Sequence, residues 1–232
     1  MNEISKKTMK AAFKATIPVM TGYLVLAIGF GILLKTKGYG VWWSIAMSGF
    51  IYAGSMQYLA IDLLCGGASL VTTAVTTLMV NARHLFYGIS MVNRYKDTGR
   101  KKPYLIFALT DETYSLVCSE ESIKGIEEPK AYYFWVSLFN QTYWVVGSIL
   151  GSLLGNILPF EVEGIDFALT ALFVTIFVEQ WLTTKEHKPA LIGIITSVIC
   201  LAVFGADGFL IPTMSMIVVL LIWQKSKLKI KE

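Results

Sequence analysis

Charge is scarce in this sequence: only 16% of its residues are Asp, Glu, Lys or Arg, against 55% that are hydrophobic. Soluble domains carry about a quarter charged residues, and a water-soluble fold of 232 residues could not hide so much apolar surface. Lipid can cover it instead, and a mean hydropathy of +0.60 agrees with that. Cysteine is nearly absent as well. Cys65, Cys118 and Cys200 lie far apart, are odd in number and form no C-x-x-C spacing, which excludes a disulfide framework and the usual zinc patterns. All three read as small apolar packing residues. Histidine occurs only as His84 and His187, the latter in a polar turn. The chain has no G-x-S-x-G nucleophile elbow, no H-E-x-x-H zinc helix and no glycine-rich phosphate loop. It therefore reads as no enzyme, with no cofactor and no metal.

Eight of the 20 lysines and arginines flank the apolar body. Lys6, Lys7, Lys10 and Lys14 precede the first apolar run, and Lys225, Lys227, Lys229 and Lys231 follow the last. Flanking lysines mark cytoplasmic ends by the positive-inside rule, so the net charge of +4 speaks for topology and against nucleic acid. The start looks like a signal peptide, but residues 15–34 are long enough to span a bilayer and end at Lys35-Thr36-Lys37 with no small-residue cleavage site. The expectation is an uncleaved first helix with Pro18 near its start, where proline is tolerated.

Apolar runs recur at 15–34, 41–64, 69–91, 104–118, 131–158, 166–182, 189–205 and 208–224. A span needs about 20 residues. The fold class expected is all-α, a polytopic membrane helix bundle of about 7–8 membrane segments. Residues 1–14 read as a basic cytoplasmic N-terminus, 15–224 as one transmembrane transport domain and 225–232 as a basic cytoplasmic tail.

Both ends agree with a cytoplasmic location, but the middle does not. The basic segment Arg94, Lys96, Arg100, Lys101, Lys102 should also be cytoplasmic, yet three full crossings before it would put it outside. Either one of those runs is re-entrant and 104–118 does not cross, or the basic loop breaks the rule. Run 41–64 is the candidate for a break, because Gly49, Ala53, Gly54 and Ser55 cluster at its centre. Non-helical backbone at membrane depth is tolerated only where protein buries it or it lines a cavity. Close packing between continuous helices would use the same small residues.

Charges inside apolar runs are the functional candidates, since one Arg, Lys or Asp at the bilayer centre costs about 2.5–3.5 kcal/mol. They fall in Asn81-Ala82-Arg83-His84-Leu85-Phe86-Tyr87-Gly88 and in Asp111-Glu112-Thr113. At helical spacing Asn81, His84 and Gly88 share a face, while Arg83 points elsewhere with Tyr87. Asp111 lies on a small polar face with Ala108 and Ser115, and Glu112 falls among leucines. This suggests an interhelical pair, Arg83 with Glu112, and a cavity-lining set of Asn81, His84 and Asp111. Spacing does not decide which acid pairs with Arg83. Static interhelical bonding of the whole group, or snorkelling of Arg83 and His84 to the interface, remains open. Gln57 follows the Gly54-Ser55 break, where free N–H groups could hold a carboxylate. Asn140 and Gln141 read as interhelical hydrogen bonds, and Glu179, near a helix end, as reaching water.

These residues carry a resemblance. Phe50-Ile51-Tyr52-Ala53-Gly54-Ser55-Met56-Gln57-Tyr58 resembles the F-A-G-A-S-Q-F pattern of the AzlC family, and Asn81 to Gly88 resembles its N-x-R-H-x-x-Y-G element, with Thr110-Asp111-Glu112 downstream in the same order. Tyr52 and Met56 are bulkier than the pattern, which bears on pocket shape. The resemblance implies the large subunit of a branched-chain amino acid exporter in the plasma membrane of a bacterium or archaeon, acting on valine, leucine, isoleucine and also methionine. It also implies a small AzlD-type membrane partner. With no nucleotide-binding element, the expectation is a secondary transporter driven by the proton motive force; a channel or a non-transporting scaffold subunit is the alternative. Gly54, Ser55, Gln57, Asn81 and Asp111 are the candidate substrate-binding residues. Arg83, His84, Asp111 and Glu112 are the candidates for proton coupling or charge pairing.

Overall fold

The computed structural model describes residues 3–118 and 121–157, scattered helical positions within 167–182, and residues 184 and 186–229. Glu179, Gln180 and residues 158–166 lie outside the described residues. Every regular element among those described is helical. The chain divides into two compact units, residues 1–169 and 170–232.

The first unit is built on a pair of long helices. Helix α1 is Glu3–Thr36 and α8 is Pro129–Leu154. They run parallel and in register: Phe13 meets Phe139, Tyr23 meets Trp144, and Lys35 meets Gly155. Their backbones approach closely because α8 carries glycine every fourth residue. A Cβ at Gly151 would run into the Ile28 carbonyl of α1, and one at Gly147 would come within 2.7 Å of the Ala27 Cβ. Gly31 of α1 is similarly pressed against the backbone of Ser148 and Ser152. Small residues at such spacing let membrane helices gain dispersion energy that bulkier side chains would forfeit. Helix α1 starts twelve residues before the first apolar run, so Pro18 lies well inside it rather than near its start. A 34-residue helix is about 51 Å long, more than the hydrocarbon core of about 30 Å, which leaves the lysine-rich first turns outside the apolar layer.

The shorter helices are broken pairs. Helices α2 (Val41–Phe50) and α3 (Gly54–Cys65) meet at Ile51-Tyr52-Ala53, the break expected from the small residues of run 41–64. Tyr52 has φ 43°, a left-handed conformation that costs a bulky residue about 1–3 kcal/mol. The two helices double back on each other. Gln57 Nε2 donates to Ser48 Oγ at 3.2 Å, although nine residues of continuous helix would separate them by about 13 Å. Tyr58 then packs on Phe30 and donates to the Leu26 carbonyl, so α3 climbs α1 toward the end from which α2 came.

Helices α4 (Leu70–Val80) and α5 (Ala82–Met91) follow, broken only at Asn81 (φ −91°, ψ 5°). Met91 and Tyr95 end in a cluster with Ala12, Tyr132 and Tyr133, at the opposite end of the α1–α8 pair. Helices α6 (Lys102–Phe107) and α7 (Asp111–Val117) form a second hairpin, from that opposite end. Leu105 and Val117, one from each arm, lie in the cluster just named, while its tip reaches Tyr23 through Thr110. The tips of the two hairpins approach each other, with Tyr52 and Phe107 rings 6.2 Å apart.

In the second unit, α9 (Lys188–Gly208) packs with α10 (Leu210–Lys229), and Gly205 interrupts α9 with φ 71°. Helices 3–36 and 188–205 are long and apolar enough to cross a membrane. The cysteines are all free, but only Cys200 is buried; Cys65 is exposed and Cys118 intermediate, so core packing describes one of the three.

Candidate functional site

Three chain breaks converge halfway along α1 and α8, and every sequence-derived candidate lies at or within four residues of one of them. At the first, Ala53 is the extended N-cap of α3 and Ser55 sits in its first turn. At the second, Asn81 interrupts α4–α5, placing Arg83 and His84 in the opening turn of α5. At the third, Thr110 caps α7 by accepting from the Thr113 N–H, and Asp111 and Glu112 begin that helix.

Arg83 joins the tips. Its Nη1 lies 2.6 Å from Asp111 Oδ2, and its Nη2 donates to Ser55 Oγ at 2.9 Å. The cation thus bridges α3 and α7 from its place on α5. This corrects the expected pairing of Arg83 with Glu112. The spacing argument assumed one continuous helix over 104–118, and the restart at Asp111 changes the phase of both acids.

The pair is not saturated. Arg83 Nε, Asp111 Oδ1 and Asn81 Oδ1 are buried and have no hydrogen-bond partner among the described residues. Buried polar atoms are normally satisfied, so three orphans on neighbouring residues demand an explanation. Together they offer one donor and two acceptors beside a joined cation and anion. His84 completes the group: its Nδ1 lies 3.2 Å from the Asn81 carbonyl oxygen, and its ring packs edge-on to Tyr87. Tyr87 in turn stacks on Tyr114 at 4.5 Å, fixing α5 to α7.

Glu112 has another environment. Tyr23 donates to its Oε2 at 2.6 Å, and Thr110 Oγ1 lies 2.7 Å from the same tyrosine oxygen. Among the described residues no lysine, arginine or histidine pairs with it.

Gln57 is already engaged. Trp144 Nε1 donates to its Oε1 at 2.8 Å, its Nε2 donates to Ser48, and Ser48 donates to Ser148. Gly54 gives room for the same Trp144 ring, which a Cβ there would approach to 2.9 Å. Both residues therefore anchor the first tip to α8. Asn140 does the same for the second tip, donating to Thr113 Oγ1, and Gln141 donates to the Gly49 carbonyl while accepting from Tyr104. The interhelical role expected of Asn140 and Gln141 is what they perform. Sequence reasoning overlooked Tyr23, Trp144 and Ser48, which look like ordinary apolar or small helix residues. In the second unit His187 stacks on Trp181 at 4.2 Å beside a cavity of about 640 Å³ that contains none of the residues above.

The profile of the AzlC protein family matches residues 18–158, which takes in both hairpins, all three breaks and α8. The chain belongs to the AzlC family. Its AzlC-family relatives include the branched-chain amino acid transport protein AzlC of Bacillus subtilis, 43% identical over 88% of this chain and 80% of that one. An uncharacterized membrane protein of Helicobacter pylori is 42% identical over 94% of this chain and 96% of its own. The inner membrane protein YgaZ of Escherichia coli is 25% identical over 88% and 84%. No solved structure matches. Membership in a family of membrane proteins agrees with the two long apolar helices, so this AzlC-family chain is itself a helical membrane protein.

Proposed function

We propose that this AzlC-family chain is the large subunit of a secondary transporter that exports branched-chain amino acids at the expense of the proton motive force. The observation that carries the reading is the unsaturated ion pair at the hairpin tips. A free amino acid is a zwitterion whose ammonium needs acceptors and whose carboxylate needs donors. Asp111 Oδ1 and Asn81 Oδ1 are spare acceptors, and Arg83 Nε is a spare donor. An entering substrate exchanges part of the Arg83–Asp111 contact for its own two charged ends, so neither protein charge is left bare in the apolar layer. The N–H groups of the first turn of α3, next to Ser55, add further donors for the carboxylate. A pocket that senses only apolar bulk separates one methylene by about 1–3 kcal/mol, so leucine, isoleucine, valine and methionine should compete. The name of the Bacillus subtilis relative supports the substrate class. A small AzlD-type subunit completes the transporter in this reading.

The same reading gives a topology. Helix α1 crosses, the α2–α3 hairpin returns to its side of entry, α4–α5 crosses back, the α6–α7 hairpin returns, and α8 crosses again. Residues 94–102 then share a side with the N-terminal lysines, which removes the conflict with the positive-inside rule. Runs 166–182, 189–205 and 208–224 bring the crossings to an even number, with both termini in the cytoplasm of a bacterial or archaeal cell. Thiol labelling tests this in a chain whose Cys118 and Cys200 are replaced. An impermeant reagent added to whole cells should label the exposed Cys65 and leave an Asp97→Cys thiol untouched, with the order reversed in everted vesicles. The reverse pattern, with Asp97→Cys labelled in whole cells and Cys65 protected, would remove the first re-entrant hairpin, and labelling of both from one side would remove the α4–α5 crossing.

Transport itself is tested by counterflow. Vesicles holding the chain and its co-expressed small partner, preloaded with leucine, should transiently accumulate labelled leucine and be competed by isoleucine and valine. A channel gives no counterflow, and a scaffold gives no flux.

A further inference from the structure

Two adjacent acids at the tip of the second hairpin are treated in opposite ways. Asp111 is held by a cation at 2.6 Å. Glu112, partly buried, has no cation paired with it among the described residues: Tyr23 donates to it at 2.6 Å, and the row continues through Thr110 Oγ1, 2.7 Å from the tyrosine oxygen, to Thr113 Oγ1 at 3.1 Å. We propose that Glu112 is the site that binds the transported proton, with Tyr23 as the residue that orients it, while the Arg83–Asp111 pair is reserved for the amino acid. The assignment rests on the transporter reading above and deepens it.

An acid at membrane depth with no counter-cation exists cheaply as the neutral carboxylic acid and expensively as the carboxylate. Asp111 has its compensation built in, and the neutral acid offers it little. Glu112 gains a neutral state by taking a proton, and a hydroxyl partner tolerates both states, since a tyrosine O–H donates to a carboxylate and accepts from a carboxylic acid. The threonine hydroxyls behind it have the same dual capacity. The groups facing Glu112 from the packed elements are Tyr23 on α1, Tyr52 at the first hairpin tip, Tyr87 on α5 and Asp111 beside it. None of them is cationic, and Arg83 at the same site is committed to Asp111 and Ser55. Tyr52 adds a second buried tyrosine in the same cluster as Tyr23. His84 faces the other way in this scheme, toward the Asn81 carbonyl and Tyr87.

Neutral Glu112 and neutral substrate-loaded Arg83–Asp111 give the hairpin tips no net charge to move. Loss of the proton recreates a bare carboxylate, which holds the tips where Tyr23 can solvate it.

The test separates exchange from coupled transport. In vesicles holding the chain with its co-expressed partner, Glu112→Gln mimics the permanently protonated acid. It should keep leucine–leucine exchange within about twofold of the parent and lose pH-gradient-driven leucine movement about tenfold or more, the converse of about 1.4 kcal/mol of coupling. Glu112→Gln that retains gradient-driven movement overturns the proposal. A parent that exchanges leucine but ignores the gradient overturns it too, while a parent without exchange refutes the transporter reading on which it stands. If Glu112→Gln is not recovered in the membrane, the parent chain decides by carbodiimide, which adds to protonated carboxyls in apolar surroundings. An adduct on Glu112 that fades as pH rises is expected; an adduct on Asp111 instead, or none on Glu112, overturns the assignment.

Discussion

Asp111→Asn is expected to lower the initial rate of leucine transport about 10- to 100-fold while the protein remains folded in the membrane. The change keeps size and shape but removes the negative charge that faces Arg83 at 2.6 Å and, in the proposed site, the substrate ammonium. A hydrogen bond to a charged group contributes about 1.5–3 kcal/mol, and each 1.4 kcal/mol is about tenfold. An alternative explanation treats the pair as a fastener between α5 and α7, in the manner of other polar contacts between membrane helices. Exchanging the partners distinguishes the two. The double variant Arg83→Asp with Asp111→Arg retains an ion pair, so a fastener would recover both protein level and transport. A substrate site would recover protein level only, because the acceptors and donors then face the wrong ends of the amino acid. Initial rates normalised to membrane protein, measured for the single and double variants side by side, give the answer.

Gly151→Leu is expected to remove folded protein from the membrane altogether. Its Cβ position is already occupied by the backbone of Ile28, and the residue sits in the close contact between α1 and α8, three residues before the end of α8. Overpacking a core by added methylenes costs about 1–3 kcal/mol when side chains can yield. Here the obstacle is a neighbouring helix backbone, so the whole α1–α8 pair must separate. Both hairpin tips hang from that pair, through Trp144, Asn140 and Gln141 on α8 and Tyr23 on α1. Gly193→Leu on α9 is a fitting comparison, since a Cβ there meets nothing within 4 Å. The first variant should vanish from a detergent-solubilised, size-fractionated membrane extract and the second should persist at parental level.

Much of this arrangement is legible in the residues. Charge inside an apolar run is expensive enough to single out Arg83, His84, Asp111 and Glu112 without coordinates. The Ala53-Gly54-Ser55 cluster signals the first break, and the basic segment 94–102 directs attention to the runs before it. The second and third breaks are quieter. Asn81 and Ala108-Leu109-Thr110 contain no glycine or proline, and their runs are apolar on both sides. A signal for the third was nevertheless present: Thr110 followed by two acids is a helix N-cap with an acidic first turn. Taking it as a helix start breaks run 104–118 at the right place, although the choice of Asp111 over Glu112 as the partner of Arg83 still depends on what lies opposite. The glycines at 147, 151 and 155 likewise spell a close helix contact in plain four-residue spacing. Tyr23 and Trp144 could not be found this way, because their function depends on what lies opposite them across α1 and α8, and single-sequence periodicity carries no information about partners.

The account stands or falls on whether an amino acid occupies the space between Ser55, Arg83 and Asp111. A single thiol at the first tip reports on that directly: Ser55→Cys in a chain whose Cys65, Cys118 and Cys200 are replaced, reconstituted with its small partner and exposed to a small permeant thiol reagent. Leucine at about ten times its half-saturating concentration should slow modification about tenfold, as simple occupancy requires, isoleucine and valine should do the same, and glutamate should not. A modification rate that is the same with and without leucine, in vesicles that still carry out leucine counterflow, would put the substrate elsewhere in the protein.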